Sequence, residues 1–178
     1  MRRFKMIKKG VVYVCVTFLL TFFLVQGVMA QDEYVLEHTV TSMTPVFMSG
    51  HEGDLMWIEG FNVTTDVFLD GSKVGTTSIQ VTLLDPPMSL TDRYAYAIFK
   101  AVNSISGMGT YEVTAQAISL NSSTTPSAGD ITLAWSGSIS NGTDGLSNIY
   151  GLSTGAGIAN TFTGQGNFKE IIRVRFGY

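Results

Sequence analysis

After its first thirty residues, this chain of 178 residues places apolar side chains at every second position. The clearest case is Thr110–Leu120, where Tyr111, Val113 and Ala115 alternate with threonine, glutamate and glutamine. Successive side chains of a β-strand point to opposite faces of the sheet, whereas an amphipathic helix repeats its apolar positions every three or four residues. The later chain has no sustained helical period, so the sequence predicts an all-β fold.

A β-hairpin is predicted around Asp70-Gly71, between the apolar runs Val67–Leu69 and Val74–Leu83. Tight hairpin turns need positive φ angles, which glycine adopts without steric cost and aspartate tolerates. Gly75 is predicted to mark a bulge or a point of close backbone approach, as glycine inside a strand often does. The turn sets the strand register, and the register decides which side chains face inward.

The same alternation predicts further short strands, separated by segments rich in glycine, proline and serine. The segment from Gly137 to Gly166 is rich in glycine, and Gly151–Gly155 within it is predicted to be a flexible loop. Eight or so strands at this spacing indicate a sandwich or a closed antiparallel barrel. Outside the hairpin, the predicted strands are Tyr34–Val40, Asp54–Val63, Tyr94–Val102, Thr110–Leu120, Ile131–Trp135 and Phe168–Tyr178.

The start of the chain predicts an export signal. Five basic residues precede an uncharged apolar run, Val11–Val25, and Val28-Met29-Ala30 supplies a cleavage site of small residues. The apolar run is shorter than the roughly 20 residues that a membrane-spanning helix needs, so an uncleaved anchor is the less favoured alternative. We therefore predict a signal peptide over residues 1–30, cleaved near Ala30, and one secreted or periplasmic domain over residues 31–178.

Loss of the signal would make the protein strongly acidic. All 14 Asp and Glu residues remain while five of the 11 Lys and Arg residues leave, so the net charge changes from −3 to −8. Nucleic-acid binders concentrate basic residues on one face, so no nucleic-acid partner is expected. The single cysteine, Cys15, lies in the signal. The domain must therefore be stabilised by a packed core rather than by disulfides.

Several turns resemble those of the allene oxide cyclase and dirigent barrel family, including its secreted bacterial members. Val67–Thr76 resembles the first hairpin of that family, and Gly109–Val113 resembles a central strand that starts on glycine. Ile139–Gly145 resembles a further glycine turn, although Asn141 stands where the family has glycine and Asp144 is inserted.

This resemblance implies a single eight-stranded antiparallel β-barrel with a largely apolar cavity, often assembled as a homo-oligomer. Members of the family cyclise or isomerise small lipophilic molecules, or steer the coupling of bound radicals. The implied partner is therefore a small lipophilic molecule. None of the family's catalytic positions can be assigned to this sequence.

The candidate acid or base is Glu59. It shares strand parity with Leu55 and Trp57, so it can point into an apolar cavity, where desolvation would suit a carboxyl group to proton transfer. Glu112 shares its parity with polar residues and is predicted to face outward. His38 is predicted to be a structural or exposed residue, because general-base catalysis needs partners that the sequence does not show.

Aromatic residues of the strands supply the candidate ligand-binding surface. Each one alone is explained by core packing, but together they would suit a flat or hydrocarbon ligand. These residues are Trp57, Phe61, Tyr94, Tyr96, Phe99, Tyr111 and Trp135.

Other catalytic motifs are not supported. Gly151-Leu152-Ser153-Thr154-Gly155 matches the nucleophile elbow G-x-S-x-G, but His38 and His51 both precede the serine and no helical period follows it. Two histidines with scattered carboxylates form no metal-ligand spacing. A serine hydrolase or a metalloenzyme is therefore not expected, and neither is a metal or cofactor.

Three functional classes fit the sequence. The favoured one is a secreted barrel that binds a small lipophilic molecule, with or without isomerase, cyclase or dirigent-type activity. The second is a small outer-membrane barrel, since Ile172, Val174 and Phe176 share one face of the last strand and Arg173 and Arg175 the other. Short turns are not expected to alternate with longer loops, which counts against this class. The third is a structural β-domain without a ligand.

Overall fold

Each strand of the protein pairs with its neighbours in the chain, and the last strand pairs with the first. The computed structural model describes residues 31–47, 58–84, 94–121 and 129–177. The closed eight-stranded antiparallel barrel that the sequence predicted is therefore confirmed. The strands are β1 (Asp32–Phe47), β2 (Ile58–Leu69), β3 (Ser72–Leu83), β4 (Tyr94–Ile105), β5 (Gly109–Asn121), β6 (Asp130–Ser140), β7 (Ile149–Asn160) and β8 (Gln165–Phe176).

Two parts of the sequence analysis fall outside this description. The predicted export signal, residues 1–30, lies outside the described residues and stays a prediction. His51 and Trp57 also lie outside the described residues. In the ranges that are described, no helix is long and apolar enough to cross a membrane.

The β2–β3 hairpin forms at the predicted place. Asp70 has a φ of 51° and Gly71 a φ of 76°, the two positive values that a tight two-residue turn requires. Leu69 pairs with Ser72 on either side of the turn. The hairpin therefore sets the register of β2 and β3 from this end.

Gly75 has both roles that the sequence predicted. Val67 pairs with Gly75 while Phe68 pairs with Lys73, so Val74 is the extra residue of a β-bulge. A Cβ atom on Gly75 would lie 2.1 Å from the carbonyl oxygen of the neighbouring strand β4. Only glycine fits this approach without moving a backbone.

The prediction of a flexible loop at Gly151–Gly155 is wrong. These residues lie in β7, which pairs with β6 and β8 over its whole length. A Cβ on Gly151 would lie 2.0 Å from the carbonyl oxygen of Arg173, and one on Gly155 would lie 2.1 Å from the ring of Trp135. Glycine is unfavourable in strands on average, but here it makes room for its neighbours.

Inward-facing side chains fill most of the barrel in two apolar clusters. The first lies towards the end that carries the β2–β3 and β4–β5 turns, which we call the short-turn end. The second lies towards the opposite end. The first cluster contains Leu36, Val67, Ala101, Tyr111, Val113, Ala115, Ile139, Leu146, Ile149, Ile172 and Val174. The second contains Val40, Ile58, Phe61, Val63, Ile131, Ala159 and Phe168.

The apolar face of β8 looks into this core. Ile172 and Val174 are buried, whereas Arg173 lies on the outer surface and its Nε donates a hydrogen bond to Glu33 over 2.7 Å. A transmembrane barrel has the reverse arrangement, with apolar residues facing lipid and polar ones facing the lumen. Core packing therefore explains Ile172 and Val174 in the alternation that suggested a lipid-facing strand, whereas Phe176, the last residue of β8, is 42% exposed.

Connections alternate in length only as far as β6, because the β6–β7 connection at the short-turn end has eight residues (141–148) and the β7–β8 connection at the opposite end has four (161–164). Residues 70–71 and 106–108 form the other links at the short-turn end. Residues 48–57 and 84–93 link β1 to β2 and β3 to β4 at the other end, which we call the long-loop end. Short turns therefore do not alternate regularly with longer loops around the barrel, as the sequence predicted, and this counts against a membrane barrel together with the direction of the side chains.

We predict that Gly75→Ala lowers the free energy of unfolding by about 1–3 kcal/mol, because the new methyl group would push β4 away from β3. Urea unfolding measures the effect. Ser78→Ala, on the outward face of the same strand, is the control and should change stability by less than about 0.5 kcal/mol. Equal stability of the two variants would contradict the close approach.

Candidate functional site

An apolar cavity of about 110 Å³ lies inside the barrel. Its wall includes Met43, Leu83 and Thr161, which stand near the ends of their strands or in the turn at the long-loop end. About 10–15 Å³ of such space admits one water molecule, so this cavity is several times larger than a single buried water needs. The space is sufficient for a small organic molecule.

Aromatic rings form one side of the cavity. Trp135 lies between Phe99 and Phe168, with ring centroids 5.9 Å and 6.1 Å apart and the planes nearly perpendicular. Such edge-to-face contacts are favourable for aromatic pairs and hold the rings in fixed positions. Trp135 is fixed further by its indole nitrogen, which donates a hydrogen bond to the hydroxyl of Ser153.

The structure brings together three of the seven aromatic residues proposed from the sequence. Phe61, Phe99 and Trp135 line the cavity. Tyr111 is buried in the cluster towards the short-turn end and does not belong to the cavity wall. Tyr96 faces outward and is 57% exposed, so its assignment to the cavity is wrong. Trp57 and the side chain of Tyr94 lie outside the described part of the structure.

Glu59 faces solvent, contrary to the inward direction that its parity allowed. The reason is a bulge: Val46 pairs with Gly60 and Phe47 with Ile58, so Glu59 is an extra residue without a partner position. In a regular strand, Glu59 would point to the same inner face as Phe61, two positions later. The bulge turns the Glu59 side chain to the outer face. Glu59 therefore cannot act in the cavity.

Glu112 faces outward, as predicted. Its carboxylate accepts a hydrogen bond from Nδ2 of Asn141 over 2.9 Å and lies 3.1 Å from Nζ of Lys100. These contacts, first that from Asn141 and then that from Lys100, lower the pKa of the Glu112 carboxyl. They hold the outer surface of β4 and β5 to the β6–β7 connection, away from the cavity.

A chain of polar side chains crosses the inner wall, and we call it the polar arc. It consists of Thr65, His38, Glu170, Ser153 and Trp135, one from each of the adjacent strands β2, β1, β8, β7 and β6. Neighbouring members stand diagonally across each strand pair, since His38 pairs with Phe168 and Glu170 pairs with Leu36. Diagonal neighbours on one face of a sheet are within reach of long side chains.

The centre of the polar arc is a bond between His38 and Glu170. Nε2 of His38 lies 2.9 Å from Oε2 of Glu170, and Nδ1 of His38 lies 3.1 Å from the hydroxyl of Thr65. Ser153 donates its hydroxyl hydrogen to Oε1 of Glu170 over 2.5 Å. His38 is 5% exposed and Glu170 is 3% exposed, and both line the cavity.

These bonds fix the roles of most protons in the polar arc. Trp135 can only donate, so the Ser153 oxygen accepts from it and its own hydrogen goes to Glu170. With Glu170 ionised, Nε2–H of His38 donates to the carboxylate, and Thr65 can donate to Nδ1 when the imidazole is neutral. The carboxylate thus has a fixed position, with both oxygens hydrogen-bonded.

A second polar pair stands on the other side of the cavity. Thr77 of β3 donates a hydrogen bond to Oδ1 of Asn103 of β4 over 2.5 Å, and both residues line the cavity. Since β4 and β8 are four strands apart in a ring of eight, Asn103 faces the wall that carries Glu170. A molecule in the cavity would lie between an amide and a carboxylate.

Tyr111 lies beneath this region with a buried hydroxyl that has no hydrogen-bond partner among the described residues. Its burial, and secondly the negative charge of Glu170, raise the pKa of the Tyr111 phenol well above 10.0. The phenol therefore stays neutral at physiological pH.

The sequence analysis missed Glu170 and Asn103 as site residues, although a signal existed. Glu170 shares its parity with Phe168 and Ile172 in the last strand, which is the same argument that was applied to Glu59. Asn103 likewise lies on the same face of β4 as Phe99 and Ala101. His38 is not the isolated histidine that the sequence suggested, because β8 supplies its partner from the other end of the chain.

The G-x-S-x-G motif is confirmed as a chance match. Ser153 lies inside a strand and donates to a carboxylate rather than to a histidine, so no group is placed to remove its proton in the manner of a nucleophile elbow. Within the described ranges, His, Asp and Glu residues form no cluster of three that could hold a metal ion.

Comparisons with known proteins give little further information. No protein-family model matches the chain, and no curated protein matches its sequence significantly. Among solved structures, a nonspecific heme-binding cyclase that catalyses a cycloaddition during neoabyssomicin biosynthesis is similar, with a TM-score of 0.46 and 11% sequence identity. The match covers 83% of this chain and 65% of that one. A likeness at this distance carries no argument about function.

We predict that Tyr111→Phe raises the free energy of unfolding by about 1 kcal/mol at neutral pH. The substitution removes a buried hydroxyl group that has lost its hydration and that no hydrogen bond compensates. Urea unfolding measures the change, and Tyr150→Phe on the outer surface is the control. A large loss of stability in Tyr111→Phe would show that the hydroxyl has a partner.

We further predict that the wild type loses more stability than Tyr111→Phe when the pH rises above about 10, where tyrosine ionises in an unfolded chain. The folded barrel keeps the Tyr111 proton because the pKa is raised. The unfolded chain then binds fewer protons than the folded one, so stability falls with rising pH. Unfolding curves below and above this pH would reveal the difference, and parallel losses would contradict it.

Proposed function

We propose that this protein is a secreted barrel that binds one small lipophilic molecule in its interior cavity. The observation that carries the proposal is the composition of the cavity wall, which is apolar except for a few fixed polar groups. His38 and Glu170 stand on one side of it and Asn103 on the other. Ligand sites in proteins commonly combine an apolar lining with a small number of placed polar groups.

The ligand that suits this wall is uncharged. Phe61, Phe99 and Trp135 offer apolar contact to a flat or hydrocarbon body. A charged group would lose its hydration in the cavity and could pair only with the groups of the polar arc. A carbonyl or hydroxyl group would instead find a donor in the Asn103 amide or an acceptor in Glu170.

Packing supports a binding role over a purely structural one. An eight-stranded barrel can be filled completely by its own side chains, as it is here around Val67, Ile139 and Val174. Towards the long-loop end, alanines occupy inward positions of β4 and β5, at Ala97 and Ala117, and space remains. Small residues at these positions keep the cavity open.

The outer surface carries exposed apolar residues such as Tyr96, Ile98 and Leu152, and it is the ion pairs among them that favour the soluble barrel over the outer-membrane alternative. Charged side chains project from the outward face, and several form ion pairs there, such as Lys73 with Asp66 at 2.8 Å and Arg173 with Glu33 at 2.7 Å. Placing such groups against lipid would be costly. Export by the predicted signal would place the barrel outside the cytoplasm.

Assignment to the allene oxide cyclase and dirigent family is part of the same proposal. The eight-stranded topology and the apolar cavity are what that resemblance implied. Asn141, which replaces a family glycine, has a φ of 54°, a left-handed conformation that asparagine tolerates better than most residues. The departure is therefore compatible with the same turn.

Filling the cavity tests the proposal. Ala117→Phe would place a ring in the cavity from β5, and Ala134→Phe would place the same ring on the outer surface of the adjacent strand β6. We expect Ala117→Phe to weaken binding of a fluorescent naphthalene probe at least about tenfold, because the ring takes the place of the ligand. Ala134→Phe should bind as the wild type does.

Native mass spectrometry of the protein recovered from its own secreting cells would show whether a lipophilic ligand copurifies. We expect a bound small molecule in the wild type and its loss in Ala117→Phe. If Ala117→Phe does not fold, Ala97→Leu offers a smaller obstruction from β4. An empty wild-type protein that also fails to bind the probe would refute the proposed function.

A further inference from the structure

Stability alone does not explain the polar arc. Burying a carboxylate costs so much hydration that replacing it and its partner with apolar residues is often neutral or stabilising. Apart from the polar arc and the Thr77–Asn103 pair, the inner wall of this barrel is mostly apolar, and valine or leucine would fit the strand pattern at the positions of His38 and Glu170. Buried titratable groups at the wall of a cavity are typical of functional sites.

The Glu170 carboxylate is oriented as a base would need to be. Ser153 holds Oε1, and His38 holds Oε2 while its own ring is held by Thr65. Each carboxylate oxygen has two acceptor positions, so one hydrogen bond to each leaves lone pairs for a further contact. Because Glu170 lines the cavity, a molecule bound there can make that contact.

Asn103 complements this base from the facing wall. Its Oδ1 accepts the Thr77 hydrogen bond, so its Nδ2 is the group that can donate to a ligand. A donor aimed at an oxygen that becomes negative during a reaction is the usual means of stabilising an enolate. A small ketone between the two walls could meet Asn103 with its oxygen and Glu170 with a neighbouring carbon.

We propose that Glu170 is a general base that transfers a proton between two carbon atoms of an uncharged unsaturated ketone in the cavity. The proposal rests on the ligand-binding function above. Glu170 takes a proton from the carbon next to the carbonyl, the electrons of that C–H bond form a double bond to the carbonyl carbon, and the π electrons of the carbonyl move to its oxygen, to which Asn103 donates a hydrogen bond. The protonated carboxyl then returns the proton to the γ-carbon, which moves the double bond into conjugation. No oxidant or other reactant is consumed.

His38 is a positioning residue in this scheme. Its Nε2–H holds the carboxylate before the transfer, and its fixed ring keeps Oε2 in place while the proton is on Glu170. Ser153 has the corresponding role for Oε1.

The test uses the β,γ-unsaturated isomer of cyclohexenone, a small uncharged ketone whose conjugated product absorbs ultraviolet light strongly. Purified signal-free protein is mixed with the ketone, and the absorbance of the product is followed against buffer alone. Binding of the ketone is measured separately by ligand-observed NMR. We expect the wild type to accelerate the isomerisation and to bind the ketone.

Three variants isolate the base. Glu170→Gln keeps the size and shape of the side chain but replaces one acceptor oxygen with an NH2 donor and cannot accept a proton from carbon, so kcat should fall at least about a hundredfold with binding retained. Glu37→Gln, which changes an exposed glutamate on the outer face of β1 beside His38, should leave kcat and binding unchanged. Glu170→Asp keeps the carboxylate but withdraws it, so kcat should fall while KM changes little.

The outcomes separate the two proposals. A wild type that binds the ketone without accelerating its isomerisation would overturn the proton-transfer proposal and leave ligand binding intact. Equal rates in the wild type and Glu170→Gln would also overturn it. A wild type that binds neither the ketone nor the naphthalene probe would refute the cavity function and the proton transfer together. If Glu170→Gln does not fold, an unchanged kcat in Glu170→Asp would count against the base.

Discussion

Pairing of β1 with β8 is the constraint on which the rest of the structure depends. It closes the sheet, so all the strands gain two neighbours and the chain has no free edge along the strands that are described. It also gives each strand one inner and one outer face. An alternation of apolar and polar residues along the strand therefore places the apolar side chains inside and the polar ones outside. The contact between His38 and Glu170 crosses this same seam. The candidate site therefore exists only once the first and last strands have met.

The interior shows two different solutions to filling a small barrel. Around Tyr111 and Val174 the side chains are packed without a cavity and leave almost no exposed surface. Towards the long-loop end, small residues on β4 and β5 leave space beside large rings. The polar arc runs along the wall where the two regions meet, and its residues satisfy each other's hydrogen bonds. A fully bonded network can remain in an apolar interior at modest cost, whereas an incomplete one would be strongly destabilising.

The agreement between sequence and structure was greatest where local chemistry decides the conformation. Asp70-Gly71 required a tight turn and formed one, and Gly75 required a close approach. The sequence-based predictions were wrong where one extra residue reversed the direction of the side chains, or where a glycine in a strand makes room for a neighbouring side chain. One bulge at Glu59 turned the proposed catalytic side chain outward. Gly155 makes room for the indole ring of Trp135, so a segment that resembled a loop is a regular strand. Neither event has a local signal in the sequence.

The sequence by itself determined the all-β class, the first hairpin, the number of strands to within one or two, and an interior without disulfides. These follow from periodicity, turn residues and composition, which act over a few positions. Closure of the sheet was implied only by the family resemblance, and the tertiary structure alone decided that a cavity remains and that Glu170 reaches His38 from 132 positions away. Such contacts depend on register and bulges summed over the whole ring, and a shift of one residue at any strand pair would turn the side chains to the opposite face.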